Sequence, residues 1–314
     1  MLVQSPSQQQ MSLSRSAVTA SFTAGPQRLI DLRHGRLAYW TFGRGSDVVL
    51  VHGWPLSGAT FRGIIPRLAE AFRVHVIDLP GAGASEWEGP VGFVEHAETL
   101  RAAIESLGLA SYALVGHDSG GLIARIAAAG NAQVKGLVIA DTEVPGHHSA
   151  VVAALVAAAK LPGGVRSISS LLRIGAIRRS AFGFGGCFRD LTLIDGEFRQ
   201  LFLDPLLSSP AKAAAQFRTL TRADFSVVDR IDGIHAQLLA PVRCIWGADD
   251  PFFPIVKARA MVAGLPKGSD LVEIAGGKLF THEEFPEEVA KHAASFLASL
   301  AWTSSAAHRS AVAD

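Results

Sequence analysis

Gly116-His117-Asp118-Ser119-Gly120 stands between a short apolar run, Tyr112-Ala113-Leu114-Val115, and a run of strong helix formers from Leu122 to Ala129. A G-x-nucleophile-x-G segment at a strand-to-helix junction makes a sharp, strained turn. The turn needs small neighbours and lifts its central side chain above the carboxyl end of a sheet. The following helix N-terminus offers backbone N–H groups to negative charge. The central residue here is Asp118, not serine. Ser119 is the poorer nucleophile candidate, because two residues before it stands His117, which forbids the close approach that Gly116 allows. A plain helix-capping role for Asp118 is the alternative.

Outward from this segment the chain alternates apolar runs with helical periodicity. Residues 28–42 read as a hairpin around His34-Gly35. Asp47–Val51 and Val74–Ile77 read as strands buried on both faces, ending at His52-Gly53-Trp54-Pro55 and at Asp78-Leu-Pro-Gly-Ala-Gly-Ala-Ser85. Phe61, Ile64, Ile65, Leu68 and Phe72 have helical spacing, as does the stretch 95–106. Val138–Ala140, Pro241–Trp246 and Leu271–Ile274 add strands, and 286–300 a closing helix. The order predicts an α/β fold, a mostly parallel twisted sheet flanked by helices. Residues 146–230 contain helical segments and glycine-rich breaks but no strand pattern, so they are expected to form an inserted helical cap. Residues 28–145 and 231–301 would then form the core, 1–27 a disordered leader rich in Ser and Gln, and 302–314 a frayed tail.

Composition limits function. Nearly half the residues are hydrophobic (49%), 18% are charged, and 29 basic against 28 acidic side chains leave a formal charge of +1. No basic excess is available for a row of phosphates, so nucleic acid is not an expected partner. The most apolar stretch, 150–159, is shorter than the roughly 20 residues a bilayer span needs, and no signal-peptide core opens the chain. Neither a membrane nor a secreted location is expected, and a cytoplasmic one is. The two cysteines, Cys187 and Cys244, form no CxxC pair, so neither a metal site nor a disulfide framework is indicated.

An aspartate in the elbow has a chemical meaning. A carboxylate attacking an ester carbonyl gives a mixed anhydride, whereas one attacking an sp³ carbon gives an ordinary alkyl ester. Carbon–halogen bonds and epoxides are its natural electrophiles. Four motifs, HGWP at 52–55, DLPGAGAS at 78–85, GHDSGG at 116–121 and WGADDPFFP at 246–254, resemble the haloalkane dehalogenase and epoxide hydrolase branch of the α/β-hydrolase superfamily. The resemblance implies cofactor-free hydrolysis of a small apolar organic substrate. It implies Asp118 as nucleophile, the backbone N–H groups of Trp54 and Ser119 as the oxyanion or halide cradle, and Asp250 as the acid that orients the base. Asp141 and Glu143 are reserve acids, because some relatives place the acid after the preceding strand. Asp249 reads as a loop residue.

The family's base is a histidine followed by an aromatic residue shortly before Glu-x-Pro. Ungapped alignment on Phe280 and Glu284-Phe285-Pro286 puts Leu279 there, with His282 three residues later. His282 is therefore the provisional base, and a missing base is the alternative. The branch's other markers are also absent: Tyr39 and Tyr112 both fall in the core, no tryptophan lies between 88 and 245, and Ser119 stands where a dehalogenase carries tryptophan or arginine. A non-hydrolytic cyclase or lyase and a ligand-binding pseudoenzyme stay open, as do substrate identity and oligomeric state. The phenylalanines of the cap (182, 184, 188, 198, 202 and 217) suggest an apolar ligand or plain packing, and Arg166, Arg173, Arg178 and Arg179 a solvated face.

Overall fold

The computed structural model describes residues 13–302. Nine strands form one sheet: β1 (Arg28–Leu32), β2 (Gly35–Gly43), β3 (Ser46–Val51), β4 (Phe72–Ile77), β5 (Glu86–Trp87), β6 (Tyr112–His117), β7 (Val134–Ala140), β8 (Val242–Gly247) and β9 (Asp270–Ile274). Their order is β1-β2-β4-β3-β6-β7-β8-β9, with β5 beside β2. From β4 through β9 every pairing is parallel, and β1, β2 and β5 form an antiparallel edge. The central strands are apolar along their whole length because helices cover both faces: Val48–Val51 and Leu137–Ile139 are at most 1% exposed.

Side-chain alternation divides the core. Leu114, Val49, Leu137 and Ile139 point to the face covered by the helices Phe93–Ser106 and Ser119–Ala128. Val115, Leu50, Val48 and Val138 point to the face covered by the 3₁₀ turn Gly58–Gly63 and the helix Pro286–Ser299. The periodic stretch ending at Phe72 is shorter than its spacing suggested. It makes the 3₁₀ turn and one helical turn, Ile65–Leu68, and Phe72 already begins β4.

Between β7 and β8 the chain makes only helices and turns, and this segment packs on the core through aromatic side chains. Phe184, Phe188, Phe198 and Phe202 contact one another, and Phe188 and Phe198 meet Phe280 of the core at 5.3 and 5.5 Å between ring centroids. Packing therefore accounts for most of the cap phenylalanines; Phe182 alone stands 93% exposed. Not all the cap arginines form a solvated face either. Arg178 is buried, and its guanidinium donates to Asp195 at 2.9 Å and to the Leu172 carbonyl.

The expected disordered leader over 1–27 needs correction within the described residues. Arg15–Ala24 is a helix, capped by the Ser14 hydroxyl, which accepts from the Ala17 N–H. It is held down by Val18, fully buried, and by Phe22, whose ring lies 4.9 Å from that of Trp40. One buried residue and one partly buried ring in ten residues make too weak a period to read from sequence. Residues 1–12 and 303–314, the rest of the expected leader and tail, lie outside the described residues. Trp302 packs on Phe72 and donates its indole N–H to Leu297. Among the described residues no single helix is long and apolar enough to cross a membrane.

Candidate active site

Asp118 directly follows β6 with φ 52° and ψ −137°, outside the regions an L-residue ordinarily occupies. The strain is fixed by packing on both sides. A Cβ on Gly116 would lie 2.6 Å from the Gly120 carbonyl, and one on Gly53 would lie 2.4 Å from the Asp118 carboxylate. The side chain makes no capping hydrogen bond to the helix Ser119–Ala128, so helix capping does not explain it. Instead its Oδ2 accepts from the Trp54 backbone N–H at 2.9 Å, and the Ser119 hydroxyl lies at 3.3 Å. The Ser119 backbone N–H also stabilises the charge. Among the described residues no side chain donates to Oδ1.

Acidic groups surround this carboxylate. Burial, and then the charge of Glu143, push the Asp118 carboxyl well above the usual carboxylate range. Asp141 follows β7 directly and is itself strained, with φ 40°. Its Oδ1 accepts from the Gly247 N–H at 2.7 Å and its Oδ2 is buried without a partner. Asp250, in the loop after β8, is anchored the same way: Oδ1 accepts from Phe252 N–H at 2.7 Å, and Oδ2 is buried and unpartnered. Burial pushes Asp250 up to about 7. Asp141 is raised well above its usual range by burial and then by the neighbouring charges of Asp250 and Asp118. Asp249 is exposed, as expected of a loop residue.

Glu143 is also buried and raised by its burial. Its Oε2 accepts from Thr142, and its backbone carbonyl accepts from Arg125, a fully buried guanidinium that burial lowers to about 10. Arg125 also bonds Thr142, the Gly121 carbonyl and His235, so it ties the elbow helix to the loop after β7.

His282 is not brought to these carboxylates. It lies on the short helix Thr281–Glu284, 1% exposed, with Nε2 2.6 Å from the Thr60 hydroxyl. Thr60 has one proton and donates it to Glu283 Oε1 at 2.8 Å, so His282 Nε2 is the donor in their bond. The ring packs against His117 at 4.0 Å between centroids, tilted by 46°, and touches Phe61. His117 in turn donates Nε2–H to the Leu279 carbonyl at 2.7 Å. Burial keeps both rings neutral, His117 at about 4 and His282 well below the usual histidine value. The provisional base is therefore corrected in position. The three-residue offset from Leu279 carries His282 into a helical turn facing Thr60, on the sheet face shared by Val115 and His117.

Leu279 itself is buried. A residue that sequence reading passed over lies nearby. Cys187, from the cap, is buried, its carbonyl accepts from the Phe280 N–H, and its thiol is pushed well up by burial and by the charges of Asp250 and Asp118. Nothing in its sequence context marks it, because only the fold of the cap places it there. Trp54 also joins the cap, its indole N–H donating to the Gln216 carbonyl at 3.0 Å and its ring meeting Phe217 edge-on. Among the described residues no group of three metal-binding side chains converges.

A mostly parallel sheet with a strained strand-to-helix elbow, backbone N–H groups beside its central side chain and acids after the next two strands is the arrangement of the α/β-hydrolase fold. The family model described as alpha/beta hydrolase fold matches residues 48–286, and the chain belongs to that family. Among curated proteins the chain is 52% identical over 52 residues to a pimeloyl-[acyl-carrier protein] methyl ester esterase of Aeromonas hydrophila, covering 17% of this chain and 20% of that protein. It is 42% identical over 91 residues to a soluble epoxide hydrolase of Corynebacterium sp. (strain C12), covering 28% and 32%. The matches thus span a third or less of these two relatives' lengths. Among solved structures the ligand-free epoxide hydrolase CorEH superposes with a TM-score of 0.73 at 22% identity, over 86% of this chain and 98% of that one.

Proposed function

We propose that the protein is a hydrolase that attacks an sp³ carbon, of an epoxide or a carbon–halogen bond, through an alkyl-ester intermediate on Asp118. The observation that carries this reading is the state of the Asp118 carboxylate. One oxygen, Oδ2, is held by the Trp54 N–H and met by the Ser119 hydroxyl, and among the described residues no side chain bonds the other, Oδ1. The bound oxygen is oriented and the free one keeps its lone pairs for displacement. When water later attacks the ester carbon, the charge that develops falls on the oxygen already in the N–H cradle. A small apolar substrate suits this cradle, since among the described residues no Lys or Arg side chain bonds the Asp118 carboxylate and Arg125 is committed to Gly121, Thr142 and Glu143.

The test is intact-mass and peptide analysis after incubation with a panel of terminal epoxides and primary alkyl bromides. An alkyl adduct on the peptide containing Asp118, lost in Asp118→Asn, is the expected result. Turnover in the Asp118→Asn variant should fall by at least about 10³-fold. Unchanged turnover in that variant overturns the reading.

The displacement of His282 favours one further reading, a non-hydrolytic cyclase or lyase in which Asp118 serves as a positioned base. It predicts turnover with no ¹⁸O from solvent entering Asp118, whereas the ester route labels that carboxylate.

A further inference from the structure

We propose that Asp250, paired with Asp141, is the proton donor and acceptor of this site, and that the electrophile it serves is an epoxide rather than an alkyl halide. The inference rests on the reading of Asp118 as nucleophile.

Three histidines near the elbow are committed elsewhere, His52 to the Gly53 carbonyl and the Leu79 N–H, His117 to the Leu279 carbonyl and His282 to Thr60. What the structure offers instead are two carboxyl groups with the same construction. Asp141 and Asp250 each fix one oxygen on a backbone N–H, at 2.7 Å in both cases, and each leaves Oδ2 buried without a well-formed hydrogen bond, with Thr281 beside Asp141 and the Phe253 N–H beside Asp250. Asp141 is fully buried and Asp250 is 5% exposed. They follow adjacent parallel strands and meet at one residue, Gly247, whose N–H donates to the Asp141 carboxylate and whose carbonyl accepts from the Asp250 N–H, and the Asp250 charge raises Asp141. Two carboxylates in that position cannot both ionise cheaply, so one proton stays on the pair. An unpartnered carboxyl oxygen is expensive to bury unless it has a transient partner, and a reacting group is such a partner.

The cycle balances without histidine. Asp118 Oδ1 attacks an epoxide carbon, the C–O bond of the ring breaks, and the alkoxide takes the proton of the pair. The pair, now fully ionised, takes a proton from water, and the hydroxide adds to the Asp118 ester carbon. The tetrahedral adduct expels the alkoxide, which takes the proton left on the Asp118 carboxyl. A diol departs, Asp118 is ionised, and the pair again holds one proton. Ring opening thus creates the base that hydrolysis needs.

An alkyl halide provides no such step. Its leaving halide takes no proton, so the pair keeps its own and is a poor base when the ester forms. The cap phenols that would otherwise protonate an epoxide oxygen are absent: Tyr39 bonds His75 and Tyr112 bonds Asn131, both in the core. That leaves the proton-bearing carboxyl to do this work.

The probes are styrene oxide and 1-bromohexane, used on the full chain in H₂¹⁸O. The wild type should turn over styrene oxide repeatedly, with ¹⁸O entering Asp118, but release about one bromide per chain and accumulate the hexyl ester. Asp250→Asn should still take up one hexyl group, which also reports an intact elbow, while its styrene oxide turnover falls by about 10²-fold or more. Repeated turnover of 1-bromohexane by the wild type, a comparison that needs no variant, overturns the epoxide assignment. Undiminished styrene oxide turnover in Asp250→Asn overturns the acid–base role and leaves Asp118 as nucleophile. Absence of any adduct or turnover with both probes removes the Asp118 reading itself, and this inference with it.

Discussion

Two consecutive residues, His117 and Asp118, each anchor a buried polar cluster, and the clusters differ in what they leave unpaired. Around His117 lie His282, Thr60, Glu283 and Arg62, and every charged group there meets an opposite charge. Arg62, 2% exposed, donates to Glu283 and to Glu197, both at 2.8 Å. The orphan atoms of this cluster are Nδ1 of the two neutral imidazoles. Around Asp118 lie Asp141, Glu143 and Asp250, with Arg125 the single guanidinium beside them, and the orphan atoms are carboxyl oxygens. The first arrangement is what buried polar groups adopt when they hold a fold together. The second is tolerated only where something else uses the unpaired atoms.

The widest test of this difference is to break the charge pairing on the histidine side. Arg62→Ala strands the buried Glu283 carboxylate and frees Glu197, so unfolding stability should drop by about 3–5 kcal/mol. Urea denaturation would show it. A loss below about 1 kcal/mol would mean that this cluster is no better satisfied than the acidic one.

On the acidic side the expected signature is a pH dependence. Asp250 titrates near 7 when folded against 3.8 ordinarily, so between those values the folded chain binds more protons than the unfolded one. Its contribution is complete below about pH 3.8 and is lost as pH rises to about 7. The whole effect is on the order of 4 kcal/mol at most, shared with Asp141. Asp250→Asn should flatten this slope in denaturation curves taken from pH 4 to 8. An unchanged slope would place the titration elsewhere.

How far the sequence carried the argument can be judged at these residues. The sheet was legible because its strands are short, unbroken apolar runs such as Val48–Val51, and the elbow because glycines at 116 and 120 bracket a polar residue at a strand's end. Asp250, with Asp141 in reserve, was legible as an acid through the family resemblance of the segments that follow their strands. Their pairing was not, because it depends on two loops folding back to backbone N–H groups at 247 and 252. His282 was misplaced for a related reason. Its offset from Leu279 is visible in sequence, but Thr60, the partner that holds it, is 222 residues away. Arg178 and Cys187 have no periodic context, and only tertiary packing buries them.

His282 gives the next, smaller test. Replacing it by alanine removes one hydrogen bond to Thr60 and the ring contact with His117, and should cost about 2 kcal/mol of stability. Adduct formation on Asp118 should stay within about threefold of wild type, because His282 makes no contact with the acidic cluster. Loss of alkylation with the fold intact would return His282 to the active site.

The smallest expected effect lies at the rim of the histidine-side network. Arg15, on the N-terminal helix, donates to Glu197 at 2.6 Å, the same carboxylate that Arg62 holds, so the helix, the core and the cap share one acid. Arg15 is about half exposed, and water screens its charge, so Arg15→Ala should cost no more than about 0.5 kcal/mol. Burial of Val18 and the Phe22–Trp40 contact would keep the helix docked without it. In a double-mutant cycle with Arg62→Ala the two changes should couple, since each alters the charge that the other meets at Glu197. Strict additivity would mean that Glu197 answers to Arg62 alone. The charge satisfaction that distinguishes the histidine-side cluster would then stop at the core and leave the N-terminal helix held by its apolar contacts.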